Sequence, residues 1–287
     1  MAKNPCVRRS EFVRCGKHEL HVSTWGEISN PAIVMWHGLA RTGRDFDELA
    51  EALCDEYFIM APDTLGRGLS SWASDVSTDY SYAAYGDHVR AILDRFGVTE
   101  TRWIGTSMGG LLGVHMAGGV LAGRISHLLV NDIGPWIPEE ATGRIADYVG
   151  NPPDFSKISE LEAWLRENYA PFGENTDAFW RRMANSSYRR KSDGRITVHY
   201  DPRIVTQFTL HKSDLDCWPQ WDALNQQAKT KVLLLRGADS DVLPNTVAQE
   251  MLQRLPSAQF MEFAGFGHAP TLASKDEIDA VTSFLEV

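Results

Sequence analysis

The hexapeptide Gly105-Thr106-Ser107-Met108-Gly109-Gly110 constrains this chain more than any other stretch, because it sets a serine between glycines where a strand pattern runs into a helix pattern. Thr101 to Ile104 can serve as a short strand, and Leu111, Leu112, His115 and Met116 recur at helical spacing behind the serine. A residue on so sharp a turn is held in a strained backbone conformation. Side chains two positions to either side would clash, so glycine is needed there. Ser107 is then predicted to project its hydroxyl above the sheet edge. The helix from Met108 to about Ala117 would aim unpaired N–H groups at a reacting carbonyl, favouring negative charge as it develops. Taken alone, G-x-S-x-G also fits a glycine-rich helix start with serine as its cap, so the rest of the chain has to decide.

Around this turn, apolar runs alternate with helical patterns. Ala32 to Trp36, Phe58 to Ala61, Arg102 to Ile104 and Leu128 to Asn131 read as strands, and Phe46 to Leu53, Tyr82 to Phe96 and Met108 to Gly118 as helices. Such alternation predicts an α/β fold with a mostly parallel sheet covered on both faces. His18 to Trp25 alternates more loosely and is predicted to form an edge hairpin with Phe12 to Cys15. From Gly134 the rhythm breaks at Pro135, Pro138, Pro152 and Pro153, and it returns only at Lys231 to Arg236. Residues 135–216 are therefore read as an inserted, mainly helical segment, with residues 1–134 and 217–287 as the core domain. Most of its aromatics, including Trp164, Phe172, Phe179, Trp180 and Phe208, are assigned to packing. Trp136, placed where the insertion leaves the sheet, is assigned to a pocket wall. The chain ends strand, helix, strand, helix, at Val232 to Leu235, Thr246 to Leu255, Gln259 to Phe263 and Lys275 to Leu285.

The 287 residues suffice for one large α/β domain carrying an insertion. A formal charge of −10 disfavours nucleic acid or an anionic membrane surface as a partner, and a small molecule fits better. Cys6, Cys15, Cys54 and Cys217 lack metal-like spacing and read as free thiols of a reducing compartment. Met1 to Ser10 carries Lys3, Arg8 and Arg9 with no apolar run behind them, and no stretch approaches the roughly 18 apolar residues of a membrane span. A cytoplasmic protein is expected, with no metal and no cofactor.

A serine hydroxyl is a poor nucleophile at neutral pH and needs a general base, itself oriented by a third group. His268 is the best-placed base, in the loop Gly265-Phe266-Gly267-His268-Ala269-Pro270 between the last strand and the last helix. The acid is sought after Val232 to Leu235, where Gly237-Ala238-Asp239-Ser240-Asp241-Val242-Leu243-Pro244 offers two carboxylates. Asp241, directly before an apolar pair that can anchor the loop, is preferred to Asp239, which can serve a turn through its side chain. Asp132, after the earlier strand, is a third candidate. The two oxyanion donors are expected to be the N–H of Met108, next after the nucleophile, and that of Leu39 in the early loop His37-Gly38-Leu39-Ala40. His37 is expected to brace loops, and Asp63 and Arg67, in Asp63-Thr64-Leu65-Gly66-Arg67-Gly68-Leu69-Ser70, to fix a turn.

Together, the H-G loop, the D-x-x-G-x-G-x-S turn, G-x-S-M-G-G, the late acid loop and G-x-G-H resemble an α/β-hydrolase-fold serine hydrolase. The resemblance covers both flanks of the insertion. It implies an eight-stranded, mostly parallel sheet flanked by helices, a catalytic triad and a helical cap inserted after the sixth strand. The chain departs from it at Ser240, where many relatives carry a carboxylate. Serine at the elbow disfavours the dehalogenase and epoxide-hydrolase branches, whose chemistry forms an ester on a carboxylate. A carboxylic ester hydrolase acting on a small-molecule ester is the leading expectation. The alternatives are a C–C bond hydrolase of aromatic ring-cleavage products and a non-catalytic ligand receptor on the same fold.

Overall fold

The computed structural model describes residues 6–227 and 229–286; the basic start of the chain around Lys3 lies outside them. An antiparallel hairpin of β1 (Arg9–Cys15) and β2 (His18–Trp25) opens the fold, followed by β3 (Ala32–Trp36), helix α1 (Asp47–Leu53) and β4 (Phe58–Pro62). Helices α2 (Val76–Asp79) and α3 (Tyr82–Arg95), strand β5 (Thr101–Thr106), helix α4 (Met108–Ala117) and strand β6 (Ile125–Asn131) complete the first half. Between β6 and the next strand of the main sheet lie α5 (Glu139–Gly150), α6 (Ile158–Asn168), α7 (Asp177–Ser186), a short ribbon of β7 (Tyr188–Arg190) and β8 (Ile196–Val198), α8 (Gln207–Leu210) and α9 (Trp218–Ala223). The chain closes with β9 (Lys231–Gly237), α10 (Asn245–Arg254), β10 (Gln259–Phe263) and α11 (Lys275–Glu286).

Eight strands form one sheet in the order β1-β2-β4-β3-β5-β6-β9-β10, antiparallel at β1-β2 and β2-β4 and parallel from β4 onward. The parallel strands can be apolar throughout because both faces are covered, and their period of two divides one run between two cores. Ile33, Met35, Ile104, Leu129, Leu233 and Leu235 face α1 and α11, packing with Leu49, Leu53, Val281 and Phe284. Val34, Trp36, Trp103, Leu128, Val130 and Leu234 face the other way, toward α3, α4 and α10. There Trp36 and Trp103 stack with ring centroids 5.6 Å apart, directly behind the serine turn. Each buries about 200 Å² of surface, contributing about 5 kcal/mol at about 25 cal/mol per Å², so the turn rests on a stiff wall.

The segment read as an insertion begins and ends at one place, since the Cys217 N–H donates to the Pro135 carbonyl at 3.2 Å. Its Leu161, Leu165, Met183 and Val198 join the same apolar cluster as Leu111 and Val130. It is less purely helical than expected. Tyr188 to Arg190 pairs with Ile196 to Val198, too short a ribbon for periodicity to reveal.

Two expectations fail at this level. Cys6 and Cys54 are joined in a disulfide with their Cα atoms 6.1 Å apart, and only Cys15 and Cys217 are free thiols, both buried. The sequence separation of 48 between the bonded pair gives no linear cue, because the fold alone brings Cys6 to the end of α1. The free-thiol argument for a reducing compartment falls with it. Trp136 is 49% exposed and lines none of the pockets around Ser107; the side chain that turns inward there is that of its neighbour Ile137. Among the described residues no helix is long and apolar enough to cross a membrane, and no cluster of three metal-binding side chains occurs.

Candidate active site

Each chemically distinctive loop follows the carboxyl end of a parallel strand, the edge at which open α/β sheets bind ligands. Across the sheet these loops carry Asp63 after β4, His37 to Leu39 after β3, Ser107 after β5, Asp132 after β6, Ser240 after β9 and His268 after β10.

Ser107 has φ 53° and ψ −119°, a conformation that a non-glycine residue rarely adopts. Its glycine neighbours make this possible. A Cβ on Gly105 would lie 2.2 Å from the Gly109 carbonyl oxygen, and one on Gly109 would lie 1.9 Å from that of Trp36. The Trp103 indole N–H donates to the Gly109 carbonyl at 2.9 Å and holds the first turn of α4 in place. The serine hydroxyl sits 2.8 Å from His268 Nε2.

His268 Nδ1 lies 2.8 Å from Asp132 Oδ2. A carboxylate only accepts, so Nδ1 carries the proton and Nε2 is left to accept from the serine. The acid facing His268 is therefore Asp132, not Asp241. Asp132 is fully buried and sits at φ 56°. Its Oδ1 accepts from the Gly237 N–H at 2.8 Å, and its Oδ2 also accepts from the Ser240 hydroxyl at 2.6 Å. Asp241 is 53% exposed and bound to Arg144. Asp239 instead donates its N–H to the Phe266 carbonyl. The structural reason lies in strand order. β6 and β9 are neighbours, with Asn131 paired to Leu235, so their ends present adjacent positions to the same histidine. Here the serine on β9's loop orients a carboxylate on β6. The missing carboxylate at Ser240 was the available sequence signal.

The N–H groups of Leu39 and Met108 border the serine. Met108 opens α4 and carries one of its unpaired donors, and among the described residues neither N–H has an internal acceptor. A Cβ on Gly38 would stand 3.6 Å from the Ser107 Cβ, which measures how closely this loop approaches. His37 sets its orientation. Its Nδ1–H donates to the Gly38 carbonyl at 2.6 Å, while its Nε2 accepts from the Thr64 N–H at 2.9 Å. Because a trans peptide points its C=O and N–H in opposite directions, pinning the Gly38 carbonyl to His37 directs the Leu39 N–H away from that ring. Burial pushes the His37 pKa down to about 4, so the ring is neutral, as both bonds require.

Arg67, fully buried, ties the two donor residues together. Its Nε donates to the Leu39 carbonyl at 2.8 Å and its guanidinium reaches Met108 Sδ at 3.5 Å and the Tyr85 hydroxyl at 2.8 Å. Asp63 accepts from the Gly43 and Leu69 N–H groups and from His21. Both side chains thus fix loops and touch none of the Ser107, His268 and Asp132 side chains.

Ser107 stands at the junction of two cavities. A more polar lobe of about 60 Å³, whose surface is still mainly apolar, is lined by Arg41, Asp45, Arg144, Tyr148, Asn168, Tyr169 and Phe172 beside Ser107 and His268. An apolar lobe of about 30 Å³ is lined by Met108, Leu111, Ile133, Ile137, Phe208, Leu215 and Val242. Leu39, Ser107 and Ile145 border both. The segment between β6 and β9 thus supplies one wall of each lobe. Within the polar lobe, burial alone would lower the Arg41 pKa, but Asp45 raises it above the ordinary range. Burial likewise raises the Tyr148 and Tyr169 phenols, which stay neutral.

Comparison with known proteins agrees with this architecture. A family profile described as alpha/beta hydrolase fold matches residues 31–272. The chain is 34% identical to a 3-hydroxybutyrate-oligomer hydrolase of Cupriavidus necator, covering 96% of this chain and 97% of that one. Among solved structures, an alpha/beta hydrolase from Novosphingobium aromaticivorans superposes with a TM-score of 0.87 at 31% identity, covering 99% of both chains. A putative hydrolase from Rickettsia typhi superposes with a TM-score of 0.85 at 25% identity, covering 98% and 97%. The chain belongs to the alpha/beta hydrolase family.

Proposed function

We propose that this protein is a serine esterase that cleaves carboxylic esters of small or medium acyl or aryl substrates through an acyl-enzyme on Ser107. The observation that carries this reading is the unbroken line from Ser107 Oγ through His268 to Asp132, with 2.8 Å at each step. His268 Nε2 takes the serine proton as Oγ attacks the ester carbonyl, and Asp132 holds the imidazole in the required tautomer and balances the imidazolium. The oxyanion is received by the Leu39 and Met108 N–H groups. His268 then passes its proton to the departing alcohol, and water repeats the sequence to release the acid.

The two lobes limit the substrate. Each is small and partly closed by residues 135–216, which act as a lid over Ser107, so a short ester with one apolar and one polar arm is favoured over a bulky polymer. Short oligomers of 3-hydroxybutyrate have this character, and the relative from Cupriavidus necator named for them aligns over nearly the whole chain. Side-by-side assays of p-nitrophenyl butyrate, a linear 3-hydroxybutyrate oligomer and a ring-cleavage dienoate test the reading. Turnover of the two esters in excess chelator is expected. Rapid cleavage of the dienoate with negligible ester hydrolysis would point instead to C–C bond chemistry, and tight binding without turnover to a receptor.

A further inference from the structure

Arg144, on α5, faces the polar lobe, yet its guanidinium is engaged from outside the pocket. Its Nε and Nη2 both donate to Asp241 Oδ2, at 3.1 and 2.6 Å. The two side chains are 45% and 53% exposed, and Asp241 lines neither lobe. The lobe's other cation, Arg41, is closed off. It is buried, both oxygens of Asp45 accept from it at 2.9 and 2.6 Å, and it donates to Ser187 at 3.0 Å. Asp45 also lines the lobe but is held by Arg41, and Thr106, Tyr148, Asn168 and Tyr169, which line it too, carry no charge.

Resting on Ser107 as the nucleophile toward esters, the geometry points to Arg144 as a recognition residue for a substrate carboxylate. An anionic group on the arm that occupies the polar lobe takes the place of Asp241 on the guanidinium. The exchange is inexpensive for two reasons. One carboxylate replaces another on the guanidinium, the displaced Asp241 is 53% exposed and is taken up by water, and an exposed ion pair stabilises the free protein little. There is also something to gain, because both Arg144 donors now converge on a single oxygen, whereas an incoming carboxylate can engage them in the bidentate fork that makes arginine–carboxylate pairs strong. Asp241 thus keeps the guanidinium occupied in the empty enzyme, and the preferred substrate is an ester bearing a free acid beyond the scissile bond.

Binding to Ser107→Ala protein, measured by calorimetry, tests this without turnover. The probes are the linear dimer of 3-hydroxybutyrate as its free acid and as its methyl ester. The acid should bind roughly tenfold more tightly than the methyl ester. Arg144→Gln should collapse that ratio toward one, Arg144→Lys should restore part of it, and Asp241→Asn, which removes the internal competitor, should increase it. Equal binding of acid and methyl ester to the parent protein, or a preference that survives Arg144→Gln, would overturn the assignment. Failure of the esterase reading would appear separately, as absent turnover of p-nitrophenyl butyrate by the wild-type protein.

Discussion

Asp132 and Asp241 are both carboxylates near the carboxyl edge of the sheet, and their surroundings assign them opposite tasks. Asp132 is fully buried and accepts three hydrogen bonds, one of them from His268, whereas Asp241 is half exposed and paired with Arg144. Asp132→Asn keeps the size but replaces one accepting oxygen with an NH₂ group, which favours the wrong imidazole tautomer. Turnover should fall on the order of 10³- to 10⁴-fold. Asp241→Asn removes a screened surface pair, and turnover of a neutral ester such as p-nitrophenyl acetate should change by less than about threefold. Steady-state kinetics of the two variants decide the matter, and the reverse ranking would return the acid role to Asp241.

At the scale of elements, the alternation of strand and helix was legible because the parallel strands are buried on both faces and punctuated by glycine and proline. The strand ends at Trp36, Thr106, Asn131 and Phe263 lie within a few residues of their expected places. Ser107 and His268 could be read because their local sequences are constrained by backbone geometry: the glycines flanking Ser107 have no room for a side chain. The carboxylate facing His268 was not legible in the same way. Its position depends on which strand end lies beside His268, a property of lateral sheet order that chain order does not report. Both β6 and β9 end in a loop carrying aspartate, and only the pairing of Asn131 with Leu235 and the hydrogen bond from Ser240 distinguish them. The Cys6–Cys54 bond and the outward turn of Trp136 were hidden for the same reason, since each depends on contacts distant in sequence.

Across the whole molecule, the fold's stability is tied to buried neutral histidines, one of which, His37, also braces a loop of the site. Burial lowers the pKa of His37, His88 and His127 to about 4 in the folded chain, against an ordinary value of 6.5. The unfolded chain therefore takes up protons first as pH falls. The stability these rings contribute is complete above pH 6.5 and is lost between there and pH 4. For His37 alone the loss between pH 7 and pH 5 is roughly 2 kcal/mol. Urea unfolding at the two pH values should show at least this decrease, and a His37→Gln variant should show a shallower one. A wild-type stability that is flat over this interval would mean that the rings are not held neutral by burial.

The central claim is that Ser107 becomes acylated by the concerted action of His268 and Asp132. Intact-protein and peptide mass spectrometry after rapid mixing with p-nitrophenyl butyrate and acid quench tests it most directly. The account predicts one butyryl group per chain, located on the peptide containing Ser107, absent in Ser107→Ala and forming far more slowly in Asp132→Asn. A butyryl group on another residue, or equal labelling of Ser107→Ala, would contradict it.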